Sequence, residues 1–378
     1  MAGSERLYAL DAARFVAMLL MIQGHTLDAL VSPAELDIAR FPWNIWHFMR
    51  GLTAPIFLVV SGIVHVLATP RTPEGKLPGA LVWRRIRSSL TLLGIGYLMM
   101  FPAQRLWHLG YVPPEQWTAF FRVHILQLIG VTLLCVLGLM ALTRTERQLS
   151  IVATAAGLAI VALAPAVAWV DWYRFLPEAL AAYLSTERGS LFPFVPFAAY
   201  PFLGLPIGSW LKSLPPAQRT RILRVYLPLA GLGVLALAPV LTLLCQPLLP
   251  PQANPYHANP GLILLRFGLA LLFLGAIAWL YELTPRLGPL YAVFGRYALF
   301  LFVGHLVLLY GTPWFHSVAR LYAKSLSLLE AVGVLLIVVA LCFAGVFLVE
   351  ALRRRFRPGW LVLRLGIAAT VTYLFLAP

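Results

Sequence analysis

The chain has 378 residues, 61% of them hydrophobic and only 11% charged, and a formal net charge of +15. A soluble domain carries roughly 25% charged residues to face water, so these charges are too few to coat a globule. Read alone, the basic balance would suggest nucleic-acid binding; in so apolar a chain, with mean hydropathy +0.84, it reads as the basic bias of membrane loops.

Apolar stretches of about twenty residues recur along the whole length, each able to cross a hydrocarbon core of roughly 30 Å as a helix. They lie at about 13–31, 51–69, 88–104, 121–143, 149–171, 192–211, 222–246, 261–282, 289–311, 328–351 and 362–378. Backbone groups in lipid must be satisfied internally. The expected fold is therefore an all-α polytopic bundle of about ten or eleven transmembrane helices, forming one domain over 1–378. The last stretch is the weakest, because Arg364 leaves a short apolar tail. No cleavable signal is expected, since the first stretch carries Arg14, His25 and Asp28.

Taken alternately, the connecting loops differ in charge. Arg71, Lys76, Arg84, Arg85 and Arg87 lie between or just inside the second and third stretches, Arg144 and Arg147 between the fourth and fifth, and Lys212, Arg219, Arg221 and Arg224 between the sixth and seventh. Arg353, Arg354, Arg355 and Arg357 follow the tenth, whereas Gln246 to Pro260 contains no Lys or Arg. This asymmetry predicts a cytoplasmic N-terminus, with the Pro- and Trp-rich loops outside. Trp43, Trp46, Trp107, Trp117, Trp169, Trp172 and Trp314 cluster at the predicted outer ends, as an aromatic belt does, or as aromatic platforms for sugars would. Cys135, Cys245 and Cys342 fall within apolar stretches and give no disulfide framework or metal spacing. With HxxxH, GxSxG and Walker-type motifs also absent, no metal is expected.

Ionisable residues inside a span are costly and mark function by default. Asp11, Arg14, Met18, Met21, His25 and Asp28 step by three or four along one face of the first helix. Arg14 would sit at the cytoplasmic mouth, with His25 about 16 Å further along the same stripe. A carboxylate one turn away, Asp28, can raise a histidine's basicity and fix its tautomer, as general-base work requires. The structural alternative makes Arg14 an anchor and His25 a packed hydrogen-bonding residue. His305, at a similar depth in the ninth stretch, is open to the same two readings. His124 and Gln127 share a face near the outer end of the fourth stretch. Arg266 lies about one and a half turns into the eighth, where snorkelling to the interface is the plain alternative. Arg296 reaches the cytoplasmic interface or lines a cavity there, while His47, Arg50 and His65 read as structural.

Leu10-Asp11-Ala12-Ala13-Arg14-Phe15-Val16-Ala17-Met18, followed by His25, resembles the "LDxxRGxA…H" start of transmembrane acyltransferases. Arg50 to Gly62, with Ala54-Pro55-Ile56-Phe57-Leu58 and Ser61-Gly62, is similar to their second helix. Ile125 to Val131, Phe192 to Pro196, Phe202 to Gly208, and Phe294-Gly295-Arg296 continuing to Gly304-His305 resemble the heparan-α-glucosaminide N-acetyltransferase-like group, related to the acyltransferase-3 family. The likeness covers about residues 6–310 in order. Phe15 departs from it, because the family usually has glycine after the arginine.

The resemblance implies a multi-pass protein of a bacterial cytoplasmic (inner) membrane. It would move an acyl group, acetyl first, from cytoplasmic acyl-CoA to a hydroxyl or amine of a glycan on the far side. His25 would be the catalytic histidine, as general base or as acyl carrier, with Asp28 beside it. Arg14 would be the histidine's partner for donor binding or positioning. By their own chemistry, Arg14, Arg84, Arg85, Arg87 and Arg296 could hold the CoA phosphates through planar forks, with anchoring at the cytoplasmic interface the plain alternative for 84–87, and His124, Gln127, Arg266 and His305 could face the acceptor. The partners implied are acyl-CoA, a carbohydrate and the bilayer, not nucleic acid; a homodimer stays open. The competing class is a transporter or flippase of a small molecule or lipid-linked sugar, in which the buried polar groups act as relays.

Overall fold

The computed structural model describes residues 6–312, 314 and 316–376, without the side chain of Arg357, which was counted among the basic residues above. Its long helices are α1 (Tyr8–Leu30), α2 (Trp43–Arg50), α3 (Thr53–Leu67), α4 (Gly79–Met99), α5 (Ile125–Leu142), α6 (Glu146–Ala168), α7 (Ala199–Ser213), α8 (Leu227–Cys245) and α9 (Pro260–Leu283). They continue with α10 (Gly288–Arg296), α11 (Ala298–Tyr310), α12 (Leu328–Arg355) and α13 (Arg357–Leu376). The described residues form helices joined by loops, with one isolated parallel bridge between Val31 and Leu326.

Among the described residues, eight helices are long and apolar enough to span a membrane, or nine if a pair bent by 64° counts as one span. The charged helices α1 and α4, at 23 and 21 residues, have spanning length as well, about 34 and 31 Å. Nine and these two give eleven, and the chain is an all-α polytopic membrane bundle. The bent pair, Pro285–Arg296 with Ala298–Tyr310, corrects the straight ninth span expected from hydropathy. The helix breaks at Tyr297, whose backbone leaves the helical region at φ −99°, ψ 19°.

Local chemistry sets the helix ends. Thr145 with Gln148 and Ser327 with Glu330 form capping boxes that start α6 and α12. Asn259 caps α9 by accepting from the Gly261 N–H at 2.9 Å, with Pro260 at the first helical position.

The chain divides into two compact units. One comprises the described part of Met1–Ala13 with Ala54–Met99 and Thr118–Arg286. Within it α3 meets α7 at Gly204 and Gly208, where added Cβ atoms would strike the Val59 and Ile63 carbonyls. Such small-xxx-small spacing lets helix backbones approach closely in lipid, where dispersion contacts rather than water expulsion drive association. Polar groups tie this unit's loops. Arg71, only 9% exposed, donates to the carbonyls of Gly75, Met140 and Thr143 at 2.9, 3.0 and 2.5 Å. Lys212 donates to Thr69 O and to Glu146 Oε1, both at 2.7 Å.

The other unit comprises Arg14–Thr53, Met100–Trp117 and the described part of Leu287–Pro378. Here α11 packs on α12. Phe15 stacks among Tyr291, Phe294 and Phe343 at 5.6, 4.8 and 5.8 Å. That aromatic cluster occupies the space that a glycine after Arg14 would leave open.

Candidate functional site

In this second unit, α1 and α11 bring two histidines together. His25 Nδ1 lies 3.0 Å from His305 Nε2, with ring centroids 5.3 Å apart and planes inclined by 22°. His305 is wholly buried, and its Nδ1 sits 2.9 Å from the carbonyl oxygen of Leu301. The Phe302 ring stands edge-on to it at 5.5 Å. His25 is only half-buried, and the Tyr310 hydroxyl donates to its backbone carbonyl at 3.4 Å.

The Asp28 carboxylate is paired with cations. It binds Arg50 Nη1 at 2.8 Å and Lys324 Nζ at 3.6 Å. Two local features explain this. At Gly24 any Cβ would fall 2.7 Å from Arg50 Cγ, so the glycine lets the arginine stem cross α1. The 324–326 segment is hydrogen-bonded to the end of α1, with Lys324 N–H to Ala29 O at 3.1 Å and Leu326 N–H to Leu30 O at 2.9 Å. Lys324 turns there with φ 54°, a left-handed conformation uncommon outside glycine. Arg50 also lies over Trp46, 5.4 Å from its ring, and Trp46 donates to Gln23 at 3.3 Å. Sequence reasoning took Arg50 as structural and did not single out Lys324 or Tyr310. The only available signal was a carboxylate and an arginine at similar predicted depth.

At the other end of the unit, Arg296 donates to Glu350 Oε1 at 3.1 Å. The Tyr297 hydroxyl donates to Glu350 Oε2 at 2.7 Å, and Arg354 Nε to Oε1 at 2.5 Å. Glu350 thus ties Arg296 and Tyr297, on either side of the α10–α11 break, to α12. Arg14 is half-buried on α1, at the end away from His25.

The remaining predicted residues belong to the first unit. Arg84, Arg85 and Arg87 have different surroundings. Arg85 reaches His65 Nδ1 at 2.7 Å and Thr69 Oγ1 at 3.1 Å, closing the end of α3. Arg84 and Arg87 are exposed, the latter 5.7 Å from the Trp83 ring. His124 is the N-cap residue of α5 without a capping side-chain bond. One turn on, Gln127 is wholly buried against Gly96, and neither amide atom has a hydrogen-bond partner among the described residues. Arg266 is 9% exposed and stacks on Tyr256 at 4.6 Å, so it is packed within the unit and does not snorkel. Beside it, in the Pro255–Ala258 turn, burial and then the Arg266 cation lower the pKa of His257 to about 4.

The family profile described as heparan-alpha-glucosaminide N-acetyltransferase, catalytic, matches residues 6–239. The chain belongs to this family. No curated protein and no solved structure gives a significant match. Within the matched part of this heparan-alpha-glucosaminide N-acetyltransferase family member fall Arg14, His25, Asp28, Arg84, Arg85, Arg87, His124 and Gln127. Arg266, Arg296 and His305 lie beyond it.

Proposed function

We propose that the protein is a membrane-embedded acetyltransferase that moves an acetyl group from acetyl-CoA to a hydroxyl or amine of a glycan, with His25 as the reacting side chain. The observation that carries this reading is the His25–His305 contact within spanning helices, on the α1 stripe that also bears Arg14. A half-buried imidazole, screened from bulk water and oriented by a second group, has the arrangement of a general base or of an activated nucleophile. Family membership supplies the acetyl donor and the sugar acceptor as the matching chemistry. The basic-loop asymmetry puts Arg14, Arg84 and Arg87 on the side where cytoplasmic acetyl-CoA is found. Within the first unit, the exposed Arg84 and Arg87 are better suited to meet phosphate than Arg85, which is bound to His65 and Thr69.

Acetyl-CoA is expected to bind the detergent-purified chain with an affinity that falls as salt rises, because exposed charge pairs are screened over about 10 Å at 0.1 M ionic strength. Arg14→Ala should weaken binding by at least about fivefold, on the scale of one lost charge-assisted hydrogen bond. Calorimetric titration at two salt concentrations checks both. Binding indifferent to salt and to Arg14 would remove the electrostatic donor site. One feature does favour the transport class: transporters build sites at broken helices, and the 64° break at Tyr297 is such a helix. Complete absence of acetyl-CoA binding would favour that class.

A further inference from the structure

We propose that His305 is a positioning residue that fixes the tautomer of His25, so that Nε2 of His25 is the reacting nitrogen. This rests on the acetyltransferase reading for its purpose, but its chemistry follows from the hydrogen-bond inventory of the two rings.

The chain of contacts has one end that can only accept. The Leu301 carbonyl carries lone pairs and no proton, so His305 Nδ1, 2.9 Å away, must carry the hydrogen. A carbonyl has two lone pairs, so Leu301 can serve this ring while remaining in the helix ladder. A neutral imidazole has one N–H, which leaves His305 Nε2 as an acceptor. Its partner at 3.0 Å is His25 Nδ1, which must therefore donate. Neutral His25 then holds its proton on Nδ1 and presents a bare lone pair at Nε2.

The alternative, a doubly protonated His305 donating to His25, would put a cation at a wholly buried position. A buried charge is costly unless paired. The nearest carboxylate on α1, Asp28, already holds Arg50 and Lys324, and the only hydrogen-bond acceptor described at His305 Nδ1 is a neutral carbonyl. The neutral tautomer is therefore the favoured one. It also fits the burial of the pair: the wholly buried ring orients, and the half-buried ring is the one left to react.

In the general-base course, Nε2 of His25 takes the proton of the acceptor O–H or N–H as that atom bonds to the acetyl carbonyl carbon. The C–S bond then breaks, and the CoA thiolate takes the proton back from Nε2. Nδ1 keeps its own hydrogen throughout. While His25 is an imidazolium, the Nδ1–H···Nε2 bond to His305 becomes charge-assisted and stronger. His305 thereby favours the protonated intermediate without touching substrate.

Ring nitrogens of the full chain, labelled with ¹⁵N-histidine, report tautomers directly by NMR, and the His25 signals are assigned by their loss in His25→Ala. The expected result is a protonated Nδ1 and a bare Nε2 at His25 in the wild-type protein. His305→Leu, which removes the acceptor, should redistribute the proton to Nε2. It should also lower kcat at least about tenfold with the acceptor KM unchanged, since a histidine in the wrong tautomer cannot act as base. His305→Gln, whose Oε1 can reach the former Nε2 position, should retain the tautomer and most of kcat. A proton on Nε2 of wild-type His25, or no change of tautomer and kcat in His305→Leu, would overturn the proposal. The wild-type spectrum decides even if the leucine variant does not fold. A chain with the expected tautomer but no acetyl transfer would refute the enzymatic reading while leaving the ring assignment standing.

Discussion

His25→Ala is expected to lower acetyl transfer by at least about two orders of magnitude, the usual scale for losing a general base, while the protein still inserts and purifies as a folded species. Removing His25 takes away the donor that His305 Nε2 accepts from, which costs about 1–3 kcal/mol for a buried unsatisfied group. His25→Gln, which retains a donor amide, should be as inactive but closer to wild type in stability. Asp28→Asn should be far milder, because Asp28 serves Arg50 and Lys324 and not the reacting ring. Turnover measured beside thermal denaturation separates these cases. A folded His25→Ala protein with near-normal turnover would end the assignment.

The second large effect is on stability. Arg71→Ala should destabilise the first unit by about 2–4 kcal/mol, because it strips a buried guanidinium from three carbonyls that it bridges. Those carbonyls belong to Gly75, Met140 and Thr143, so the Gly75 loop would detach from the end of α5. Arg71→Lys should recover less than half of the loss, since an ammonium cannot span the fork's positions. Denaturation midpoints in one detergent compare the three proteins. An Arg71→Ala midpoint equal to wild type would show that the network contributes nothing to stability.

The two residues were legible in the sequence to different degrees, for physical reasons. Apolar length is dictated by bilayer thickness, so the spanning helices follow from local composition. His25 stood out because an ionisable side chain in an apolar run has few structural explanations. Arg71, by contrast, looked like one more basic loop residue, and its burial depends on carbonyls about seventy positions away. The same limit applied to Asp28. Helical spacing set it beside His25, yet charge pairing with Arg50 and Lys324 decided its partner, and no periodicity encodes such a pair. His305 was visible as a histidine at matching depth, but the His25 that it contacts lies 280 positions away in sequence. Tyr297, where the helix bends, likewise donates to a distant carboxylate, Glu350. Arg85 shows the converse limit. Sequence offers the three arginines alike, as phosphate ligands or interface anchors, whereas helix rotation of about 100° per residue turns Arg85 toward His65 and away from its two exposed neighbours.

Acetyl transfer by His25 can be followed on the acetyl group itself. Purified protein in lipid nanodiscs is given acetyl-CoA labelled in the acetyl carbon, together with an oligosaccharide ending in glucosamine, which offers both hydroxyl and amine acceptors. The account predicts that label appears on the sugar in step with free CoA thiol, for the wild-type chain and not for His25→Ala. Unlabelled sugar and unconsumed acetyl-CoA, from a protein that moves the sugar across sealed vesicles, would contradict it.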